Sequence, residues 1–286
     1  MVDTYDPRIT PARPDLAARH LEGRVTAARF VTGEIREVVE PSAPVRTAPH
    51  HGAPLATEVL LGERVTIYED SVEGWSWGQL ESDGYVGFIP SIALGAPTST
   101  ATHMVSARRT FVFPGPSIKL PPQMALSFGA RIAIASIQEP FAVTAQGGYL
   151  PASHVTPRKT HETDFVTVAE KFLGAPYLWG GKTSDGIDCS GLVQVALTAC
   201  GIACPRDSDM QQAALSISVE SAQAKTMQRG DLIFWKGHIA IARGDGSIIH
   251  ANAHHMAVAT ESATDAITRI LAGGSAVTGI RRIAKA

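Results

Sequence analysis

Two segments in the first half of the chain resemble each other, and this internal repeat limits the folds that the N-terminal part can adopt. Residues 60–94 read LLGERVTIYEDSVEGWSWGQLESDGYVGFIPSIAL, and residues 126–155 read LSFGARIAIASIQEPFAVTAQGGYLPASHV. Each segment has a G-x-R-[VI] run, a middle run of β-forming residues, and a Gly-Tyr pair ahead of a proline. Short β-forming runs broken by Gly, Pro and acidic turns are typical of small barrels. The repeat therefore predicts two small all-β barrels.

The segment GYVGFIPSIAL resembles the closing strand and short helical turn of bacterial SH3 domains. This resemblance implies tandem SH3-like barrels, which we place at residues 37–97 and 98–157, with GAPTSTATH (95–103) linking them. Residues 1–36 are expected to be a lead-in with one short helix in PDLAARHLEG, and we assign no chemistry to them.

The character of the sequence changes at about residue 164. DFVTVAEKFLG and SGLVQVALTACG each have the pattern of a helix that ends at glycine, and DLIFW, HIAIAR and SIIHANA follow as strands. This order predicts an α+β domain, which we place at residues 160–286, with TPRKTHETD joining it to the second barrel. The predicted fold class is multidomain: two small all-β SH3-like barrels followed by an α+β domain.

Composition excludes several classes of function. The net charge is −2 with no long basic run, so neither nucleic acid nor an anionic membrane surface is expected as a partner. The start, MVDTYDPRIT, lacks the basic and apolar segments of a secretory signal, and we expect a cytoplasmic location. The ten histidines come without an HExxH or CxxC pattern, so no metal is expected. The three cysteines cluster in residues 189–204, which favours free thiols over a disulfide framework.

The run GIDCSGLVQVAL raises the question of whether Cys189 is a packing residue or a nucleophile. An apolar stripe at helical spacing consists of Cys189, Leu192, Val193, Ala196 and Leu197. Free cysteine is often buried as a small hydrophobe, so this stripe alone favours packing. The start of a helix favours a nucleophile, because Asp188 or Ser190 can cap it and unsatisfied N–H groups stabilise a thiolate. We therefore expect a lowered pKa for Cys189.

A nucleophilic cysteine needs a base and a group that orients the base, and the strand region contains two candidate histidines. In GHIAIARGDGSIIHA, a polar RGD loop joins two alternating runs, which predicts a hairpin. If the hairpin closes about Gly244, His238 lies opposite His250 and both side chains share one face. Ala240 and Ala242 share that face and leave room for a substrate. Either histidine alone would be interpreted as a hydrogen-bonded interior residue, whereas the pair favours catalysis.

Five motifs in a fixed order carry a resemblance to a known family: GAPYLWGGKTSDGIDCSGLVQ, PRDSDMQ, RGDLIFW, GHIAIA and SIIHA. They resemble the motifs of the NlpC/P60 cysteine peptidases, circularly permuted relatives of the papain fold that cut cell-wall peptides. The tandem barrels ahead of them resemble the subgroup of γ-D-glutamyl-L-diamino acid endopeptidases of murein recycling. The resemblance covers residues 37–286 and implies that the α+β domain is papain-like.

By these motifs, Cys189 corresponds to the nucleophile, His238 to the base, and His250 to the polar third residue that orients the base. The family positions that line the site or contact substrate are matched by Tyr177, Asp188, Ser190 and Ser208. Arg206 is expected to brace that loop rather than to contact substrate.

In this subgroup an acid and a tyrosine of the first barrel close one end of the cleft and bind the free amino group of L-Ala. Tyr85 in DGYVGF matches the tyrosine, and Glu58 in ATEVLLGE is our choice for the acid. Glu81 and Asp83 remain alternatives to Glu58.

The resemblance implies acyl transfer through a thioester, without a metal or organic cofactor, on murein peptides of the type L-Ala-γ-D-Glu-diamino acid. Two alternatives belong to other classes of function. A papain-like amidase or acyltransferase would need an open apolar groove, and a non-catalytic module that binds wall peptides would have a broken triad. The sequence leaves open which diamino acid follows D-Glu.

Overall fold

The structure is a computed structural model that describes residues 5–97, 100–215 and 227–283. The chain divides into two compact units, Met1–Thr160 and His161–Ala286, and the division falls inside the predicted joining segment. Two residues of the predicted linker GAPTSTATH, 98 and 99, lie outside the described residues. Among the described residues, no helix has the length and apolar character needed to cross a membrane.

The first half of the N-terminal unit is built on one large antiparallel sheet. The strands of this half are β1 (Ala17–Ala18), β2 (Phe30–Val31), β3 (Glu34–Val38), β4 (Ser42–Arg46), β5 (Leu55–Leu60), β6 (Arg64–Asp70), β7 (Trp75–Leu80), β8 (Val86–Pro90) and β9 (Leu94–Gly95), of which β1 and β2 form a separate parallel pair. The last seven strands pair in the order β5-β4-β8-β7-β6-β3-β9. Alternation explains the core: in β6, Val65 and Ile67 are buried while their neighbours are more exposed.

The helix predicted in PDLAARHLEG is wrong. Ala17 and Ala18 form a short parallel strand with β2, and only a 3-10 turn at Arg19–Leu21 follows. Leu16, Ala17 and Ala18 are all fully buried, which a surface helix with one apolar face cannot achieve. The lead-in also contacts the sheet, since the Arg13 guanidinium lies 4.4 Å from the centre of the Trp77 ring.

The second half of this unit contains shorter strands in three small sheets, β13-β10-β17, β11-β12 and β14-β15-β16. These strands are β10 (His103–Val105), β11 (Arg109–Val112), β12 (Met124–Ser127), β13 (Arg131–Ile132), β14 (Ile134–Gln138), β15 (Phe141–Thr144), β16 (Tyr149–Pro151) and β17 (Val155–Pro157).

The two halves of the unit share local features. Gly62 and Gly129 both have positive φ angles, +74° and +89°, just before the strands of the two G-x-R runs. Both halves also close on a 3-10 turn after a proline, at Ser91–Ala93 and Ala152–His154. The second SH3-like barrel stays a prediction that these shared features support.

The C-terminal unit combines helices with a five-stranded antiparallel sheet of order β23-β22-β21-β20-β24. Its elements are α1 (Phe165–Glu170), β18 (Lys182–Thr183), β19 (Gly186–Ile187), α2 (Cys189–Ala199), α3 (Ser208–Ala214), β20 (Leu232–Trp235), β21 (His238–Ala242), β22 (Ser247–Asn252), β23 (Ala257–Ser262), α4 (Ala263–Ala272) and β24 (Val277–Arg281). The α+β prediction is confirmed. The sequence predicted three strands in this region and did not predict the strands β23 and β24 or the helix α4.

Helix α2 packs against β21 and β22, and nearly all of its residues are buried rather than one stripe. Helix α4 packs on the sheet face that carries Ala240 and Ile248, where Ala263 and Ala266 join the same apolar cluster. The sheet therefore holds the beginning of β21, the middle of β22 and the end of β23 in fixed relation to the first turn of α2.

Candidate active site

Cys189 is the first residue of α2, and its side chain is almost enclosed, with 5% of the residue exposed. The backbone N–H groups of Ser190 and Ile239 act as hydrogen-bond donors to its sulfur and lower its pKa. Ile239 directly follows His238 at the start of β21. The thiol is thus held where the first turn of the helix meets the first residues of that strand.

The expected low pKa of Cys189 is wrong for the substrate-free protein. Burial, together with the negative charge of Asp188, raises the pKa of the thiol to about 12, and the two backbone donors do not compensate. Desolvation disfavours the charged form of any buried acid, and here it outweighs the helix start. The resting sulfur is therefore a thiol, and attack on a carbonyl requires a base.

Asp188 caps α2 and is fixed from several sides. Its Oδ1 accepts hydrogen bonds from the Gly191 amide (2.7 Å), the Ser190 hydroxyl (3.2 Å) and Arg206 (2.9 Å). Its Oδ2 accepts from the Gly180 amide (2.8 Å) and the second guanidinium nitrogen of Arg206 (2.7 Å). We call Asp188, Arg206 and these donors the helix-start brace. The expectation that Arg206 braces this loop is confirmed.

Asp188 and Ser190, which are predicted to contact substrate, form hydrogen bonds within the brace. Arg206 is 1% exposed, and it also donates to the Ser190 hydroxyl at 2.8 Å. Ser208 begins α3, and Gln211 of that helix donates to the Ser190 carbonyl at 2.9 Å. Protein donors already surround the side chains of Asp188 and Ser190. Contacts of these two side chains with substrate stay predictions.

The hairpin of β21 and β22 has a register that differs from the predicted one. Ile241 lies opposite Ile249 and Ala242 opposite Ile248, so the hairpin is centred on Asp245 rather than on Gly244. The prediction that His238 and His250 lie directly opposite each other is therefore wrong by two residues. A shift of two preserves the side-chain alternation, so the two histidines still share one face as diagonal neighbours.

The two histidines are hydrogen-bonded to each other, which confirms the prediction that they share a face. His238 Nε2 lies 2.9 Å from His250 Nδ1, and His250 Nε2 lies 2.8 Å from Glu261 Oε1. Arg269 of α4 donates to the same Glu261 oxygen at 2.5 Å. We call His238, His250 and Glu261 the histidine chain.

Burial keeps both imidazoles neutral at physiological pH. Burial, together with the charges of His250 and Arg269, lowers the pKa of His238 to about 3. Burial and the charge of Arg269 lower the pKa of His250 to about 3 as well. A neutral His238 can accept a proton, as a general base must.

Glu261 and Arg269 belong to the site, although no sequence motif indicated them. Both lie in AVATESATDAITR, where β23 passes directly into α4 and the Ser262 hydroxyl accepts a hydrogen bond from the Asp265 amide. The S-x-x-D spacing is a helix-start signal, and the alternating run before it indicates a strand. These signals indicate the strand β23 and the start of α4, but they do not indicate the contact of Glu261 with His250.

Tyr177 lies beside the same site. Its amide donates to the Met256 carbonyl at 2.9 Å, which ties the loop before α2 to the turn between β22 and β23. Burial, together with the nearby Cys189 and Asp188, raises the pKa of its phenol to about 12. The structure therefore brings Tyr177 close to the thiol, in agreement with its predicted place at the site.

The first barrel holds the residues predicted to bind the ammonium group of L-Ala, and their role there stays a prediction. Tyr85 is 6% exposed and packs in the barrel core with Val59. Glu58 precedes Val59 in β5, so its side chain points to the opposite, outer side of the strand. Asp83, the alternative acid, accepts a hydrogen bond from the Tyr85 amide at 3.0 Å.

Among the residues that the structure describes, one group of side chains has the spacing of a metal site. Ligand atoms of His250, His255 and Glu261 lie within 4.8 Å of one another. Glu261 Oε1 already accepts hydrogen bonds from His250 and Arg269, and a metal ion would have to replace the bond from His250. The chemistry of this donor set therefore fits the histidine chain without requiring a metal.

Comparisons with known proteins agree with this geometry. A model described as "NlpC/P60 family" matches residues 174–271. A model described as "Bacterial dipeptidyl-peptidase Sh3 domain" matches residues 45–94.

Related proteins extend the similarity over more of the chain. The gamma-D-glutamyl-L-lysine dipeptidyl-peptidase of Bacillus cereus is 28% identical over 69% of this chain and 67% of its own length. A probable endopeptidase of Corynebacterium glutamicum is 31% identical over 56% of this chain and 80% of its own length. The solved structure of an NlpC/P60 family protein from Bacillus cereus has a TM-score of 0.73 and 23% identity, covering 87% of this chain and 99% of that one.

Proposed function

Because the chain belongs to the NlpC/P60 family, we propose that it is a cysteine peptidase that hydrolyses the γ-D-Glu to diamino acid bond of murein peptides. The N-terminal unit contains an SH3-like domain, and the C-terminal unit is a catalytic domain of mixed α and β structure. The observation that carries the proposal is the hydrogen-bonded pair His238–His250 beside the enclosed thiol of Cys189.

In the first step, Cys189 Sγ attacks the γ-carbonyl carbon of D-Glu while His238 takes the thiol proton. The tetrahedral oxyanion forms next to the first turn of α2, where the helix N–H groups lack intrahelical acceptors. His238 then gives its proton to the nitrogen of the diamino acid, and the C–N bond breaks to leave a thioester. Water, deprotonated by His238, hydrolyses the thioester and restores the thiol.

The resting electrostatics suit a proton transfer that accompanies attack. A raised thiol pKa and a lowered imidazole pKa keep Cys189 and His238 neutral before substrate binds. Attack on the carbonyl carbon places negative charge on the carbonyl oxygen, and His238 becomes positive, with His250 between its ring and Glu261. Tyr177 and Ser208 are proposed to line the site, with Asp188 and Ser190 holding the helix start.

For the substrate, we propose peptides with a free N-terminal L-Ala. Support comes from the match to a dipeptidyl-peptidase SH3 domain and from the name of the Bacillus cereus relative, which specifies a γ-D-glutamyl-L-lysine bond. An acid of the first barrel would bind the ammonium group, with Glu58, Glu81 and Asp83 as the candidates; the Tyr85 amide donates to Asp83. Cleavage of free turnover peptides would belong to cytoplasmic murein recycling.

The proposed organisation is a lead-in (1–36), SH3-like barrels at 37–97 and 98–157, and a catalytic domain at 160–286. Strand β3 begins at Glu34, three residues before the proposed start of the first barrel. The match to the SH3 model covers the first barrel alone.

Product analysis tests the proposal directly. The protein is incubated with L-Ala-γ-D-Glu-L-Lys or L-Ala-γ-D-Glu-meso-diaminopimelate, each with and without an N-acetyl group, and products are identified by mass spectrometry. We expect L-Ala-D-Glu and the free diamino acid from the unacetylated peptides, and no product with Cys189→Ala. Cleavage by Cys189→Ala, or no cleavage of either free tripeptide by the natural protein, would contradict the proposal.

The barrel acid is tested with Glu58→Gln, Glu81→Gln and Asp83→Asn, using Glu73→Gln as the exposed control. The variant that lacks the true acid should have a higher KM for the free tripeptide. It should also have a smaller ratio of kcat/KM for the free tripeptide to kcat/KM for the N-acetyl form. Equal preferences in all three variants would remove the barrel from substrate selection and leave the catalytic residues untouched.

A further inference from the structure

The Glu261 carboxylate forms the outer end of the hydrogen-bonded chain that begins at His238. The Glu261 side chain is 14% exposed, and that of His250 is fully buried. Little water therefore competes for the bond between His250 Nε2 and Glu261 Oε1. The guanidinium of Arg269 holds the same oxygen in place from α4.

The positions of the ring hydrogens follow from the chemistry of these partners. A carboxylate that accepts from a guanidinium has no hydrogen to donate, so His250 carries its proton on Nε2. Nδ1 of the neutral His250 is then an acceptor, and the facing Nε2 of His238 carries the proton of that ring. The unprotonated nitrogen of His238 is therefore Nδ1. The opposite order would place a lone pair of His250 against the carboxylate.

The strand register explains how three side chains on three strands meet. Ala259 of β23 lies opposite His250, and extending the β21–β22 register by one residue places Ala240 opposite it on the other side. The two small side chains leave space for the ring of His250 to reach its diagonal neighbours. Those neighbours are His238 on β21 and Glu261 on β23. Glu261 itself pairs with Ile248 of β22.

We propose that Glu261 is a positioning residue that selects the tautomer of His250 and, through it, leaves Nδ1 of His238 unprotonated for the thiol of Cys189. The inference rests on the proposed function, in which His238 is the base. Glu261 takes up no proton during the reaction. Its negative charge also favours the positive form of His238 that develops as the thiol loses its proton, while Arg269 opposes it.

The tautomer can be measured in the natural protein without substrate. Long-range ¹H–¹⁵N NMR of ¹⁵N-histidine protein distinguishes protonated from unprotonated ring nitrogens, and the His250 signals are assigned by their loss in His250→Ala. A chelator is included, because a metal ion bound at His250 Nε2 would displace its proton. We expect a protonated Nε2 and an unprotonated Nδ1 in both His250 and His238. A protonated Nδ1 on His250 would overturn the proposal.

Variants at position 261 test the consequence for reactivity. Glu261→Ala removes the acceptor, whereas Glu261→Gln retains an oxygen that can accept from both His250 and Arg269. We expect Glu261→Ala to lower kcat by about 10- to 100-fold with little change in KM, and Glu261→Gln to restore most of that loss. The control is Glu170→Ala, which removes another half-buried carboxylate that contacts Arg243 (2.9 Å) and no histidine.

A second readout separates this inference from the proposed function. Alkylation of Cys189 by iodoacetamide at pH 7 needs a base but no murein peptide, and Glu261→Ala should slow it while Glu170→Ala should not. If the natural protein cleaves no tripeptide, the NMR and alkylation results still decide the role of Glu261. The proposed role of Glu261 would be overturned if Glu261→Ala and Glu170→Ala had the same kcat, the same alkylation rate of Cys189 and the same tautomer of His250.

Discussion

Two carboxylates near Cys189 are each held by an arginine, but they do different work. In the helix-start brace, Asp188 accepts bonds only from amides, a hydroxyl and Arg206, and the pair is buried with side chains 8% and 1% exposed. In the histidine chain, Glu261 accepts from an imidazole as well as from Arg269, and this arginine is 32% exposed. One carboxylate fixes the backbone around the nucleophile, and the other faces a group that can move a proton.

The difference shows that an arginine–carboxylate pair near a catalytic residue does not by itself indicate a catalytic role. What distinguishes the pairs is the third partner. Amide and hydroxyl donors around Asp188 keep their hydrogens at every pH of interest, so none of them can take up or pass on a proton. The histidine chain contains two rings whose hydrogens can be placed in two ways, and Glu261 selects one of them.

The largest expected effect comes from the histidine chain. His238→Ala removes the base, and we expect kcat/KM for the tripeptide to fall by about 10²- to 10⁴-fold. His250→Ala should have a smaller effect, because an orienting group is easier to replace than a base. The exposed neighbour His254 provides the control, and His254→Ala should retain activity. A loss in His250→Ala that exceeds that of His238→Ala would reverse the two assigned roles.

A large effect on stability is expected from the brace. Arg206→Ala leaves the buried carboxylate of Asp188 without its charged partner, so we expect the free energy of unfolding to fall by about 3–5 kcal/mol. Denaturant unfolding followed by circular dichroism measures this value. A decrease below about 1 kcal/mol would mean that the amide donors alone suffice to hold Asp188.

The pH dependence tests the burial of the histidine chain. His238 has a pKa of about 3 in the folded protein, with burial as the main cause and His250, Arg269 and Glu261 as the titratable or charged groups around it. Because this value lies below the unfolded value of about 6.5, acid favours unfolding, and the free energy of unfolding falls as the pH drops from about 6.5 towards 3.

For activity, the same shift moves the inactivating protonation of His238 to low pH. An imidazole of ordinary pKa would lose about tenfold in activity between pH 7.5 and 5.5, whereas we expect kcat/KM to change by less than about twofold. Initial rates are measured at a temperature at which the protein stays folded at both pH values. A tenfold decrease would show that His238 is more solvated than its enclosed position implies.

The smallest effect on stability is expected from Arg269→Ala. The partly exposed pair of Arg269 and Glu261 should contribute less than about 1 kcal/mol to the free energy of unfolding, in contrast to the buried pair of the brace. The matched measurement is the same denaturant experiment used for Arg206→Ala. A decrease as large as that of Arg206→Ala would remove the distinction between the two carboxylates.

Many strands, the start of α2 and the family resemblance could be predicted from local sequence, because each depends on a pattern within a short segment. The alternation in HIAIAR and SIIHANA predicted strands, and a period of two residues made the shared face of His238 and His250 insensitive to the error in register. The helix start at Cys189 followed from Asp188 and the glycines around it. The NlpC/P60 resemblance followed from five ordered motifs, and the family match confirms it.

The tertiary structure decided the protonation of the site and the partners of its polar groups. The position of Cys189 at a helix start favoured a thiolate, but enclosure by β21 raised the pKa of the thiol, because desolvation depends on packing from distant segments. Glu261 and Arg269 became part of the site because β23 and α4 pack beside β22, a contact with no local signature. Sequence determined which residues could do chemistry, and three-dimensional packing determined which of them carry hydrogens, which are braced, and which face one another.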